Sequence, residues 1–345
     1  MMTFRGGRLC HPIPPTTAWL LEEIAETKGR QEGLARLPPQ VLEVLVKTAQ
    51  VQSVESSNRI EGVTVDPRRL RPLVVEDARP KDRSEEEIQG YRRALDLVHR
   101  PDAPGALGPE LLLRLHGLTL AGSGDAGAWK SADNEIVELT PGAPPRVRFR
   151  PVSARDTPAA MDELCRLYQD ETTRTKRSPL LAVASLVLDF LCIHPFRDGN
   201  GRVSRLLTLF ALDRHGHRVG RYISLERLVE ESRDEYYDAL YRSSRRWHEG
   251  EHDSAPWLNF FLGVLRRAYR ELETRAAELA PRRGAKTAAI EAAVAVFRGE
   301  FTRRDLERAC PGVSPELIRK VLRELQKAGR VEALGRGPGA GWRRS

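Results

Sequence analysis

Residues 194–205 read HPFRDGNGRVSR, a polar, glycine-rich stretch set between two apolar ones. Before it, Leu180–Ile193 is a nearly unbroken apolar run, the mark of a helix buried on most of its faces. After it, apolar residues return at three- and four-residue spacing from Val203 to His215, so the stretch joins two helices. The same spacing recurs outward at Trp19–Lys28, Pro39–Ser56, Ser84–His99, Pro109–Leu120, Pro158–Asp170, Leu225–Ser244 and Ala255–Leu279. The expected fold class is therefore mainly α. Gly122–Pro151 breaks the pattern: it is rich in Gly and Pro and holds two short extended runs, Glu135–Leu139 and Arg146–Arg150. With the PGAPP turn at 141–145 between them, these runs read as a β-hairpin flap.

The residue types in 194–205 suit phosphate chemistry. Gly199, Asn200 and Gly201 can turn sharply and aim backbone N–H groups at an anion, and the helix that follows adds the positive end of its dipole. Arg202 and Arg205 lie three apart at the helix start and carry fork-shaped donors that match phosphate oxygens. Asp198 is the hard oxygen ligand that a phosphate-bound Mg²⁺ prefers. His194 has the one side chain here that exchanges a proton near neutral pH, as a general base for a hydroxyl must. Phe196 is expected to point inward and anchor the loop. Each residue also has a plainer reading: helix cap, turn former or surface charge. Twelve consecutive residues would have to be plain together.

Composition sets the class of molecule. At 345 residues the chain is long enough for two or three domains. With 40% apolar and 30% charged residues it has the make-up of a globular protein and not of a disordered one. The formal charge of +8 suits an anionic partner such as ATP, nucleic acid or an acidic protein surface, and an arginine-rich surface of no special purpose gives the same balance. Cys10, Cys165, Cys192 and Cys310 form no CxxC pair and no metal-ligand spacing, which implies a reducing compartment and no structural zinc. The opening residues MMTFRGGRLCHPIPP lack the apolar centre of a signal peptide, and no apolar run reaches membrane-spanning length. A cytoplasmic protein with no membrane contact is expected.

After a ProArgArgGly break at 281–284, the tail parses as helix (Lys286–Arg298), helix (Arg303–Cys310), turn, helix (Ser314–Gly329) and a basic end. Ser314 is placed as N-cap, Pro315 at the first helical position, and Arg319, Lys320, Arg323 and Lys327 along the exposed face. This is the order of a winged helix, a module that binds DNA in some proteins and docks or dimerises in others.

The string HPFRDGNGRVSR fits HxFx(D/E)GNGRxxR at every defined position and resembles the signature of the Fic family. Pro39–Gly62, ending in SSNRIEG, looks like the Fic N-terminal region, and about 85–265 looks like the Fic core. The resulting division is an N-terminal helical region (1–84), a Fic-type helical core (85–280, flap about 122–151) and a winged helix (285–345). The resemblance implies a protein adenylyltransferase. His194 would deprotonate a Ser, Thr or Tyr hydroxyl of a target protein, itself included, and Asp198 would hold Mg²⁺. Gly199, Asn200 and Gly201 with Arg202 would cradle the phosphates of ATP, Arg205 would meet the γ-phosphate, and Tyr236 or Tyr237 would line the adenine pocket. Trp129 and Lys130 stand near where relatives have an aromatic and an Arg.

Residues 57–62, SNRIEG, resemble the family's inhibitory pattern (S/T)xxxE(G/N). Ser57 and Glu61 lie one helical turn apart, and the resemblance implies that Glu61 pairs with Arg205 and displaces the γ-phosphate. Other readings stay open: transfer of another phosphate-containing group, removal of AMP, a toxin-like enzyme with a separate antitoxin, or a DNA-binding regulator that uses the core as a nucleotide sensor. The core helices would pack equally well in a monomer or a homodimer.

Overall fold

The structure, a computed structural model of the chain, describes residues 2–5, 13–30, 39–100, 106–138, 144, 146–175, 177–279, 285–297, 299–310, 313–335 and 341–344. Cys10, the 281–284 break and, apart from Pro144, the 141–145 turn lie outside the described residues. The fold is mainly α, as expected. Eleven of its helices are α1 (Pro15–Arg30), α2 (Pro39–Ile60), α3 (Pro67–Val75), α4 (Arg83–His99), α5 (Pro109–Thr119), α6 (Thr157–Arg174), α7 (Pro179–Ile193), α8 (Asn200–Arg214), α9 (Leu225–Glu231), α10 (Arg233–Ser244) and α11 (Ala255–Leu279). Between α5 and α6, strands β1 (Ile136–Glu138) and β2 (Arg146–Phe149) pair antiparallel as a hairpin.

The chain divides into two compact units, residues 1–276 and 277–345. In the first, α7 forms the centre: thirteen of its fifteen residues are buried. Its only charged residue, Asp189, is fully buried and accepts hydrogen bonds from the Thr3 N–H (2.8 Å), the Thr3 hydroxyl (2.7 Å) and Trp247 Nε1 (2.7 Å). Those donors make the buried carboxylate tolerable. Helix α8 packs on α7, and α2 packs on α4 and α9, so the N-terminal helices and the 194–205 segment share one core.

Three details depart from the sequence reading. The helix expected from Val203 begins at Asn200, because Gly199 takes the left-handed φ of +78° and serves as its N-cap. Glycine suits that conformation. The single helix expected over Leu225–Ser244 is broken at Ser232 (φ −117°, ψ 38°) into α9 and α10. Helix α3 was not read, because it is nine residues long and contains Pro72, too short and too interrupted for a periodic signal.

The second unit holds α12 (Ala285–Val296), β3 (Phe301–Thr302), α13 (Arg303–Ala309), α14 (Pro315–Lys327), β4 (Val331–Ala333) and β5 (Gly341–Arg344). Its three strands form an antiparallel sheet in the order β3-β5-β4. Ile290, Phe301, Leu306, Ile318, Val321 and Leu322 fill its core.

Candidate active site

His194 ends α7. Its backbone N–H donates to Phe190 O at 2.9 Å, and the residue sits in the left-handed region at φ 52°. A non-glycine residue held there costs free energy and persists only where its surroundings fix it. Those surroundings are visible. Lys130 Nζ donates to Ile193 O (3.2 Å) and Asn134 Oδ1 (2.9 Å), the Lys130 N–H donates to Pro195 O (2.9 Å), and Asn134 Nδ2 donates to Phe196 O (3.1 Å).

Phe196 is fully buried, as expected. Asn200 grips its backbone from both sides, with Oδ1 accepting from the Phe196 N–H at 2.9 Å and Nδ2 donating to Phe196 O at 2.8 Å. Its ring stacks on His116 (3.8 Å between centroids, 4° between planes) and on Trp129 (5.1 Å). The His116 ring is held in turn: Nδ1 accepts from the Gly127 N–H (3.0 Å), and Nε2 lies 3.1 Å from Asp198 O. With Nδ1 as acceptor and a carbonyl opposite Nε2, the proton belongs on Nε2 and the ring is neutral. Burial accordingly lowers its pKa.

On His194, Nδ1 faces Leu191 O at 3.3 Å. A carbonyl only accepts, so Nδ1 carries the proton and Nε2 keeps its lone pair. Burial is the main cause that lowers the His194 pKa to about 4, with the nearby Lys130 charge adding to it. His194 lines a cavity of about 170 Å³ together with Glu61, Arg148, Gly201, Tyr236 and Tyr237. Of the two tyrosines, Tyr236 is buried and Tyr237 half-buried, and their rings meet edge to face at 5.2 Å. The flap closes one side: Arg148 Nη2 donates to Tyr237 O (2.8 Å), and its guanidinium lies 4.5 Å from the centre of the Tyr241 ring.

Arg205 is buried on α8 and turned toward the end of α2. Its Nε donates to Ser57 Oγ, and its Nη2 donates to Ser57 O and to Glu61 Oε1, each at 2.8 Å. Glu61 follows the last residue of α2, and Gly62, at φ +82°, turns the chain away as a C-terminal glycine does. Arg59 pairs with Glu230, and Arg233 Nη2 reaches Ile60 O at 3.3 Å, so this end of α2 is fastened to the segment around Ser232. A Cβ on Gly201 would meet Glu61 Oε1, so a side chain there would push the carboxylate from its present place. Arg205 Nη1, also near Gly201, is buried with no hydrogen-bond partner among the described residues.

Arg202 is placed differently from Arg205. Only 2% of its side chain is exposed, and its guanidinium pairs with Glu87 on α4 and lies 3.5 Å from Asp198 Oδ2. Asp198 is exposed (67%), with Oδ1 accepting the Gly199 N–H at 2.6 Å. The structure thus brings His194, Gly201, Arg205, Tyr236, Tyr237, Ser57 and Glu61 to one place, with Asp198 at the start of α8 and Arg202 behind it. Sequence reading missed His116 and Glu87, because both lie in other helices and follow no motif.

The donors at the start of α8 are of the kind that suit an anion. The start of α8 leaves N–H groups without intrahelical partners, and Arg205 Nη1 is a buried donor unsatisfied among the described residues. No cluster of three or more His, Cys, Asp or Glu is present among the described residues, so any ion there would rest on Asp198 and the phosphates, as Mg²⁺ commonly does.

Residues 106–212 match the Fic/DOC family. Over 91 residues the chain is 34% identical to a Fido domain-containing protein of Dictyostelium discoideum, a match covering 26% of this chain and 59% of that relative. In structure it is similar to a Fic family protein from Desulfovibrio desulfuricans G20, with a TM-score of 0.62, 24% identity and 97% of each chain covered. It is also similar to a Fic domain-containing signaling protein from Bacteroides thetaiotaomicron (TM-score 0.61, 22% identity, 74% of this chain and 98% of that one). Fic-1 from Caenorhabditis elegans, covering 75% of this chain, aligns with a TM-score of 0.58 at 20% identity. Residues 106–212 are thus similar to the Fic/DOC family, and the chain shares the mainly helical fold of the solved Fic proteins.

Proposed function

We propose that the protein is an adenylyltransferase that moves AMP from ATP to a protein hydroxyl and is held inactive by Glu61. The observation that carries this reading is the meeting of His194, Gly201 and Glu61 in one cavity, with Arg205 bonded to Glu61 at 2.8 Å.

In the active state the target hydroxyl gives its proton to His194 Nε2 as its oxygen bonds the α-phosphorus of ATP. The bond from that phosphorus to the bridging oxygen breaks, and pyrophosphate leaves. The α8 N-terminus and the Arg205 guanidinium stabilise charge on the phosphates, which is most of what phosphoryl chemistry asks of a protein. Mg²⁺ on Asp198 would add charge neutralisation at the phosphates. Tyr236 and Tyr237 offer aromatic surface to the adenine, and Arg202, with Glu87, fixes the first turn of α8.

Glu61 opposes this in two ways. It occupies the main hydrogen-bonding partner of the γ-phosphate, and it sets a negative charge beside Gly201 where an anion must lie. Nucleotide bound under those conditions lacks the pose that chemistry needs. The reading is tested by transfer of label from α-labelled ATP to protein in the Glu61→Gly variant. Transfer of γ label alone would contradict it, and label released from a pre-modified target would favour AMP removal.

A further inference from the structure

We propose that residues 277–345 form a winged-helix module that binds duplex DNA through α14. Charge distribution is the first observation. This segment holds 15 Lys or Arg and eight Asp or Glu, which gives it +7 of the chain's formal +8 and leaves +1 for the first 276 residues. A general arginine bias would load both units alike. Here the excess sits in the last 69 residues, the distribution of a segment that meets a polyanion.

Topology is the second. The order α12, β3, α13, α14, β4, β5 with a β3-β5-β4 sheet places α14 against the core by Ile318, Val321, Leu322 and Leu325, all buried. The opposite face carries Arg319, Lys320, Arg323 and Lys327, all exposed. Arg319, Arg323 and Lys327 are four apart and form one stripe. A helix of 13 residues is about 20 Å long and fits the major groove, where lysines meet phosphates and arginines also reach base edges.

Side-chain pairing on this face is sparse. Lys320 and Lys327 make no ion pair among the described residues, and Arg319 shares Glu316 at 3.2 Å. Arg323 Nε donates to Arg319 O at 3.3 Å, which draws its side chain back along the stripe. Glu316 and Glu324 are the acids on α14, outnumbered two to one. Strand β5 elsewhere carries the exposed Arg343, paired with Glu332 at 3.2 Å, and Arg344, which donates to Ala295 O at 3.2 Å. An acidic protein could satisfy charge alone, but a basic stripe at four-residue spacing along a helix matches the regular spacing of a duplex better.

The experiment uses the full chain and a fluorescent duplex of about 30 base pairs, with anisotropy measured from about 50 to 200 mM salt. Binding should weaken by about 100-fold across that range if about four phosphates are neutralised. Arg319→Gln with Lys320→Gln and Arg323→Gln, all on the exposed face and so of little effect on folding, should reduce the log–log salt slope by about two to three. Arg166→Gln with Arg174→Gln on α6 is the control and should leave the slope unchanged. His194→Ala should bind DNA like wild type, which separates this inference from the catalytic one. Absence of salt-dependent binding, or an unchanged slope in the α14 variant, would overturn it. Binding of an acidic protein in place of duplex would overturn it in favour of a docking module.

Discussion

Glu61 Oε1 and Arg205 Nη2 meet at 2.8 Å although 144 residues separate them, and Ser57, one turn earlier on α2, takes two more bonds from the same guanidinium. A hydrogen bond to a charged group contributes about 1.5–3 kcal/mol, which would hold the released state to about one molecule in 10 to 150. Glu61→Gln keeps the shape and loses the charge. Its AMP incorporation should lie between wild type and Glu61→Gly, read as the initial rate of α-label transfer. A Gln variant as silent as wild type would mean that bulk, and not charge, does the blocking.

The pH dependence follows from His194. Burial lowers its pKa to about 4, so Nε2 is unprotonated throughout the neutral range. The rate of Glu61→Gly should be level from pH 6 to 8 and fall only in acid near the lowered pKa. A sigmoidal rise centred near 6.5, the ordinary value for histidine, would show that the base is not held as described.

His116 should make the fold acid-sensitive. Its pKa is lowered in the folded chain, so below the unfolded value of about 6.5 the unfolded chain takes up a proton that the folded one refuses. Stability is thus fully present above that value and declines as pH falls below it. Urea unfolding of wild type and His116→Gln across pH 5–7 should show a shallower decline in the variant, and parallel curves would count against the assignment.

Glu87→Gln should be costly. It leaves Arg202, 2% exposed, without its largely buried carboxylate partner, a change that typically destabilises by about 3–5 kcal/mol. Chemical denaturation should show a loss of that order, with weaker AMP transfer in the Glu61→Gly background. A loss below about 1 kcal/mol, the range of surface pairs, would mean that the pair contributes little.

Residues 194–205 made the two flanking helices and most of the site legible, because their spacing obeys local rules: an apolar run, a glycine turn, arginines three apart. The pairing of Glu61 with Arg205 was also expected, but only from resemblance to a motif. Long-range partners were hidden. Glu87 looks like any exposed acid of an amphipathic helix, and His116 like any residue of an apolar one. The break at Ser232 was missed because Leu225–Ser244 keeps helical periodicity straight through it, while nothing in a period records a backbone turned at one residue. Gly201 carried a second meaning beyond loop geometry, the room it leaves for Glu61, which only packing reveals.

The most direct measurement compares transfer of α-labelled ATP to protein in wild type, Glu61→Gly, and Glu61→Gly with His194→Ala, with γ-labelled ATP alongside. The α label on protein should rise by at least about tenfold in Glu61→Gly, the lower end of a charge-assisted hydrogen bond, and vanish without His194, while no γ label should appear. No α label in Glu61→Gly, even with cell lysate supplied as target, or equal labelling with and without His194, would contradict it.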